Sequence, residues 1–268
     1  MAMKDQPTRE DIARPTGSST TGGKVEMSRV VPYPRRIVIR RLLRFLIRAA
    51  FPVLANFEVE GRENIPKSGP LLVVGNHFSF IDPVAMIHAT PWPLDFVGAV
   101  ERPNAPWITR WIPYLWGYVM IRRGTGGLQG MRKAESVLKQ NGVLGIFPEA
   151  GSWAKVLRPA RPGTAYLAAR THAPILPLGM IGMEDLFPTL RRGKRPTVKV
   201  RVGEIFGPFI TTGRGKERRE QLDEIGHAIM RKIADLIPPA KRGYYSDDPA
   251  IREAARGTEI YPWDGLSG

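Results

Sequence analysis

Short apolar runs of strand length alternate with helix-patterned segments along this chain, and that alternation restricts it to an α/β fold. Leu71–Val74 (Leu-Leu-Val-Val), Val143–Phe147 and Ile175–Ile181 read as buried strands, while Phe57–Glu60, Phe96–Val100 and Tyr118–Ile121 are shorter candidates. Thr197–Val202 (Thr-Val-Lys-Val-Arg-Val) alternates cleanly as a later strand. Between them, Asp82-Pro83 resembles a helix start, with Asp as N-cap and Pro at the first helical position. Leu128–Gln140 reads as a helix with Gly142 just beyond its end, and Thr164–Arg170 and Lys216–Ile237 as two more. The pattern predicts one domain over 56–237, a mostly buried mixed sheet flanked by helices, with an irregular tail over 238–268. A length of 268 residues is ample for one such core.

The balance of charge narrows the partners. Forty Lys and Arg against 25 Asp and Glu leave a net charge of +15, which points to nucleic acid, an anionic membrane surface or phosphorylated substrates without choosing among them. Cysteine is absent, so disulfides, thiolate metal sites, iron–sulfur clusters and Cys nucleophiles are all excluded. Residues 1–28 are polar, with Gly-Ser-Ser-Thr-Thr-Gly-Gly at 17–23, and read as a disordered leader rather than a secretory signal.

Residues 29–55 hold the densest basic patch. No acidic residue lies between Glu26 and Glu58, while Arg29, Arg35, Arg36, Arg40, Arg41, Arg44 and Arg48 do. A membrane span needs about 18–20 apolar residues, and the arginines interrupt the best stretch, Ile37–Leu54. On a helical projection Arg36, Arg40, Arg41, Arg44 and Arg48 share one arc; Val38, Ile39, Leu42, Leu43, Phe45, Leu46, Ala49 and Ala50 share the other; Ile37 and Ile47 fall on the basic side. Such a helix is expected to lie in a membrane interface, apolar face among acyl chains and arginines near lipid phosphates. The same pattern also describes a helix packed on the domain with a solvated arginine face.

Several common chemistries drop out. Gly124, Gly126, Gly127 and Gly130 fit neither a P-loop nor a dinucleotide fingerprint. No Gly-x-Ser-x-Gly elbow is present. The four histidines, His77, His88, His172 and His227, lack the His-Glu-x-x-His spacing of a zinc hydrolase. No nucleic-acid-binding signature accompanies the positive charge, so no nucleic-acid partner is expected.

The segment 73–83, Val-Val-Gly-Asn-His-Phe-Ser-Phe-Ile-Asp-Pro, runs off a buried strand into a turn rich in functional groups. His77 sits at a strand end, where α/β proteins place their sites. Asp82, five residues on, can hydrogen-bond one ring nitrogen, fix the tautomer and leave the other nitrogen to take a proton. Taken alone, the pair reads equally as a helix cap beside a satisfied polar residue.

The neighbouring blocks give the pair a context. Asn76-His-x-x-x-x-Asp82 resembles the first signature of the glycerolipid acyltransferase family, the 1-acylglycerol-3-phosphate O-acyltransferases. Gly117-Tyr-Val-Met-Ile-Arg-Arg123 is similar to the family's Gly-x-x-x-Ile-x-Arg block, and Phe147-Pro-Glu149-Ala-Gly151-Ser152 to its Phe-Pro-Glu-Gly block. Ala173-Pro-Ile-Leu-Pro177 resembles the closing Val-Pro-Ile-x-Pro strand, and Arg161-Pro-Gly163 falls where the family tends to have a basic residue before a glycine. Four blocks occur in order over roughly 57–207. Two positions depart: Ala150 stands where the family has the glycine after its glutamate, and Trp153 where it usually has an arginine.

The resemblance implies an enzyme transferring a fatty acyl group from acyl-CoA or acyl carrier protein, as co-substrate and with no further cofactor or metal, to lysophosphatidate or a related lysophospholipid. It implies His77 as general base and Asp82 as its orienting partner. Arg123 becomes the candidate for the acceptor phosphate, because a guanidinium fork matches phosphate oxygens. Gly151 and Arg161 would contribute to the acceptor site, Glu149, whose carboxylate repels phosphate, would hold a loop or a glycerol hydroxyl there, and Asn76 and Ser79 would brace the turn. Lys155, Arg158 or Arg161 could supply the cation that Trp153 replaces. The altered block also suits another acceptor, such as a glycolipid or an ornithine-type lipid. A non-enzymatic basic protein binding membrane or nucleic acid is the alternative from a different class. With the basic helix, the expected location is peripheral, on the cytoplasmic face of a membrane. Trp107, Trp111, Tyr114, Trp116 and Tyr118 could form an interfacial belt, line an acyl groove or simply pack in the core. Arg191, Arg192, Lys194 and Arg195 form a basic loop that either meets lipid headgroups or is merely solvated.

Overall fold

The computed structural model describes residues 31–99, 111–121 and 127–260. The expected leader over 1–28 lies wholly outside them, as do Trp107 and Arg123. In chain order the elements are α1 (Ile37–Leu54), β1 (Asn56–Glu60), β2 (Leu71–Gly75), α2 (Asp82–Ala89), β3 (Asp95–Ala99), α3 (Ile112–Trp116), β4 (Val119–Ile121) and α4 (Gly127–Lys139). They continue with β5 (Val143–Ile146), α5 (Pro162–Thr171), β6 (Ile175–Ile181), α6 (Leu186–Arg191), β7 (Thr197–Val202), α7 (Gly215–Ala234) and α8 (Pro249–Ala254). The chain is α/β, a mixed seven-stranded sheet in the order β1-β7-β6-β2-β5-β3-β4, parallel except where β6 meets β7.

Strands β2 and β5 at the centre are buried at every position, as a parallel sheet covered on both faces requires. Leu71 and Val73 join one core layer with α2, while Leu72 and Val74 join the other with α4, α5 and α7. Because alternate side chains of β2 anchor opposite layers, its register is strongly held. The chain leaving its C-terminal end is therefore delivered to a fixed place.

Two expectations are revised. Among the described residues the segment after 238 is not wholly irregular: 3₁₀ turns at Pro239–Lys241 and Gly243–Tyr245 precede α8, and residues 157 and 241–244 exchange backbone hydrogen bonds. Asp82 is not an N-cap but the first residue of α2, its carboxylate turned back toward the preceding turn.

Helix α1 forms over Ile37–Leu54, and it is its arginine row, not its apolar face, that packs on the domain, the reverse of a solvated arginine face. Arg40 is fully buried and Arg44 half-buried, while Val38, Leu42, Phe45, Leu46 and Val53 are exposed. Arg40 Nη2 pairs with Asp95 Oδ1 at 2.6 Å, its Nε donates to the Trp116 carbonyl at 2.9 Å, and Nη1 donates to that of Pro93. Arg36 donates to the carbonyls of Tyr114 and Leu115, and Arg44 to those of Thr90 and Pro91. These acceptors lie at the C-terminal ends of α2 and α3, where the last carbonyls have no partner within their own helix and carry partial negative charge. A row of arginines caps two helix ends at once. Ile37 and Ile47, the apolar residues on the basic arc, are half-buried on that inward side with Phe51. At the far end Arg195 donates to the carbonyls of Pro52 and Ala55, closing the C-terminus of α1 itself.

Candidate active site

Beyond β2, Asn76 pins the emerging chain to β6. Its Nδ2 donates to the Met180 carbonyl at 2.9 Å, and its Oδ1 accepts the Met180 N–H at 2.7 Å. His77 follows. Its backbone N–H donates to Glu149 Oε1 at 2.8 Å, its ring stacks on Phe147 with centroids 4.2 Å apart, and Nδ1 lies 3.1 Å from Asp82 Oδ2. The Ser79 N–H donates to the same Asp82 oxygen at 2.7 Å. Asp82 is buried, while the imidazole keeps 16% of its surface exposed. Nδ1 is thus engaged by a carboxylate, and Nε2 is the nitrogen left to exchange a proton with a bound molecule.

Glu149 holds the second half of the site. One oxygen receives the His77 amide; the other receives the Arg158 backbone N–H at 3.3 Å and its Nε–H at 3.2 Å. Burial pushes Glu149 up to about 7, against the pull of Arg158 and of the two amides. Burial also raises Asp82, with His77 and the Ser79 amide drawing it back and the charge of Glu184 adding to the rise. Of the two roles expected of Glu149, a loop or a glycerol hydroxyl, its place in the interior with both oxygens engaged by the protein fits the loop. It ties the histidine turn to the loop after β5. Gly151 contributes its carbonyl, which accepts from Arg158.

The altered positions acquire reasons here. Ala150 has φ +57°, the left-handed conformation a glycine adopts without strain. A Cβ at Gly151 would lie 2.0 Å from the Trp153 ring, so residue 151 can only be glycine while that ring is in place. The Arg158 guanidinium sits 3.5 Å from the centre of the Trp153 ring, a cation–π contact in a dry setting. Of the three cations considered, Arg158 is buried, whereas Lys155 and Arg161 are exposed. The Trp153 indole N–H donates to the Thr258 carbonyl at 2.8 Å, and Arg161 Nη2 to that of Glu259 at 3.0 Å.

The structure therefore gathers Asn76, His77, Ser79, Asp82, Glu149 and Gly151 around one turn, and places Arg161 at the start of α5, bonded to the C-terminal segment. Arg123 lies outside the described residues. Phe147 and Met180 belong to the knot without having been singled out, and neither carries a titratable group that would flag it. Among the aromatics, Trp116 is buried with its indole N–H on the Leu94 carbonyl, whereas Trp111 and Tyr114 are exposed. Among the described residues no three His, Asp or Glu side chains could hold a metal ion, and no helix is long and apolar enough to cross a membrane.

Residues 56–181 match the family model described as Acyltransferase. A 1-acyl-sn-glycerol-3-phosphate acyltransferase of Chlamydomonas reinhardtii is 26% identical over 184 residues, covering 67% of this chain and 52% of its own length. One from Borreliella burgdorferi is 25% identical over 135 residues, covering 48% of this chain and again 52% of its own. The alpha form of Mus musculus is 26% identical over 217 residues, covering 75% and 72%. The chain thus spans about half the length of the first two. A crystal structure of the 1-acyl-sn-glycerophosphate acyltransferase from Thermotoga maritima aligns over 78% of this chain and 86% of its own, with 23% identity and a TM-score of 0.49.

Proposed function

We propose, from the membership of residues 56–181 in the acyltransferase family of enzymes, that this chain moves a fatty acyl group from acyl-CoA or acyl carrier protein to a hydroxyl of a lysophospholipid, lysophosphatidate being the first candidate. The observation that carries the reading is the engaged Nδ1 of His77, 3.1 Å from Asp82, on a partly exposed ring whose backbone is locked by Glu149. His77 Nε2 takes the proton of the acceptor hydroxyl as its oxygen attacks the thioester carbonyl. The new C–O bond forms, the C–S bond breaks, and the proton returns from the imidazolium to the departing thiolate. Asp82 holds the ring and stabilises its charged form. General-base assistance of this kind is worth about 10²–10⁴-fold. Arg123 is proposed for the acceptor phosphate and Arg161 for a second contact with the headgroup, while Asn76, Ser79, Glu149 and Gly151 act on the substrate through the turn they hold.

The outward apolar face of α1, with Tyr114 on α3 and Trp111 just before it, is proposed to rest in the membrane interface on the cytoplasmic side. Arg191, Arg192 and Lys194, exposed beside the C-terminus of α1, would meet anionic headgroups there. The purified chain given acyl-CoA should release CoA with lysophosphatidate, and His77→Ala should lower kcat by about 10²–10⁴-fold while leaving the fold intact. Full activity in that variant would overturn the mechanism. A panel adding glycolipid and ornithine-type lipid acceptors tests the altered loop after Glu149; faster transfer to either would replace lysophosphatidate as the substrate.

A further inference from the structure

A third carboxylate stands beside the catalytic turn. Glu184 follows β6, outside the family-matched segment, and its side chain is only 7% exposed. Its Oε1 pairs with Lys241 Nζ at 2.9 Å, while its Oε2 is buried with no hydrogen-bond partner. Phe187 of the same segment stacks on Phe80 of the catalytic turn, centroids 5.7 Å apart. Lys241 Nζ also lies 5.8 Å from the ring of Phe78, the residue directly after His77. The backbone carbonyl of Lys241 accepts the Leu157 N–H at 2.9 Å, next to the Arg158 that grips Glu149. One residue of the C-terminal segment thus lies beside both halves of the site.

We propose that Lys241 and Glu184 form a positioning pair for the His77–Asp82 couple, in which Lys241 compensates a buried carboxylate that would otherwise bias the couple's proton. The proposal rests on the acyltransferase reading for its catalytic meaning but not for its electrostatics. Among the described residues, the charged groups facing the turn are Asp82 from α2, Glu149 and Arg158 from the loop after β5, Glu184 after β6, and Lys241 from the C-terminal segment. Glu184 already opposes ionisation of Asp82 with Lys241 in place. Removing the ammonium leaves a full negative charge near the ring and favours imidazolium; removing the carboxylate leaves a positive charge and favours the neutral ring.

The experiment is a proton titration of His77 by NMR on the ¹³C-histidine-labelled full chain, its signal assigned by comparison with His77→Gln. Lys241→Met keeps the backbone hydrogen bond to Leu157 and should raise the His77 midpoint by about half a pH unit, the scale of one uncompensated charge near but not touching the ring. Glu184→Gln should lower it by a similar amount. The double variant should titrate close to wild type, and Lys241→Arg should match wild type. The acid limb of kcat/KM should move the same way in each variant. A midpoint that stays put, or that moves in the same direction in both single variants, overturns the proposal, because a purely structural pair gives no opposite signs. If Lys241→Met fails to fold, the direction in Glu184→Gln decides alone. The titration needs no turnover, so absence of acyl transfer in the wild type would sink the proposed reaction while leaving this result readable.

Discussion

Two clusters of buried charge hold this molecule together, and they treat their side chains differently. At the N-terminal helix, Arg40 donates to one carboxylate and to main-chain carbonyls until the whole guanidinium is enclosed, and Asp95 receives Arg35 as well. At the histidine turn, Asp82, Glu149 and Arg158 are equally enclosed, yet Asp82 and Glu149 each bond to a histidine that keeps one edge exposed. The first cluster uses charge for attachment. The second uses it to immobilise a group whose remaining nitrogen stays available. Burial of charge alone therefore does not mark a site; a partly exposed titratable group at the centre of the buried ones does.

The comparison predicts that the largest stability effect lies far from the chemistry. Asp95→Asn leaves Arg40 buried without its counter-charge and should cost about 3–5 kcal/mol in denaturant unfolding. A loss below 1 kcal/mol would mean that the carbonyls alone hold the arginine. At the other cluster, Asp82→Asn should lower kcat by about 10²-fold, since His77 loses the carboxylate that holds its ring and stabilises its charged form, with much less change in unfolding. Equal losses of stability in the two variants would erase the distinction between the clusters.

Because Arg36, Arg40 and Arg44 bond inward, attachment to lipid should depend on the apolar face of α1. Phe45→Asp should weaken binding to phosphatidylglycerol–phosphatidylcholine vesicles by at least about 10-fold, the scale of losing one buried aromatic side chain. Raising salt to 0.5 M should change binding of the wild type less than that substitution does. A dominant salt effect would show that exposed cations, not the apolar face, make the contact.

The two regions should also answer pH in opposite senses. His88 is wedged between the rings of Phe51 and Phe57, and burial lowers it to about 4, with Arg48, Arg62 and Arg44 adding to the fall. The unfolded chain binds that proton first, so the N-terminal interface loses stability as pH falls from about 6.5 to 4. Glu149 is raised instead, so its contribution is complete below about 4.5 and is lost as pH rises through about 7. Hydrogen exchange should show α1 loosening in acid and the turn around His77 loosening toward alkaline pH, the first trend flattened by His88→Phe and the second by Glu149→Gln. The smallest effect concerns strain: Ala150→Gly relieves a left-handed alanine and should add about 1 kcal/mol of stability.

Much of this architecture was legible in the residue pattern. Strands Ile175–Ile181 and Thr197–Val202 have the bounds their sequence suggests, because an apolar run or strict alternation has one solution in a covered sheet. Short helices α3 and α6, five and six residues long, leave too few turns for a period to show. His77 and Asp82 could be paired from their spacing across one turn. That Arg158, rather than Lys155 or Arg161, packs on Trp153 could not be read, since a loop has no period to place one cation against the ring. The C-terminal segment gave no sign of packing beside the site either, because three of its contacts there run through carbonyls at 241, 258 and 259, which every residue possesses.

The order of amino acids by itself determined the layered α/β core, the histidine turn at the end of β2 and the amphipathic character of α1, because periodicity and local spacing are properties of the chain alone. Which way α1 faces was decided only by the tertiary structure. An arginine row suits water, lipid phosphate or the unpaired carbonyls at helix ends, and only the folded domain sets the C-termini of α2 and α3 side by side to receive it.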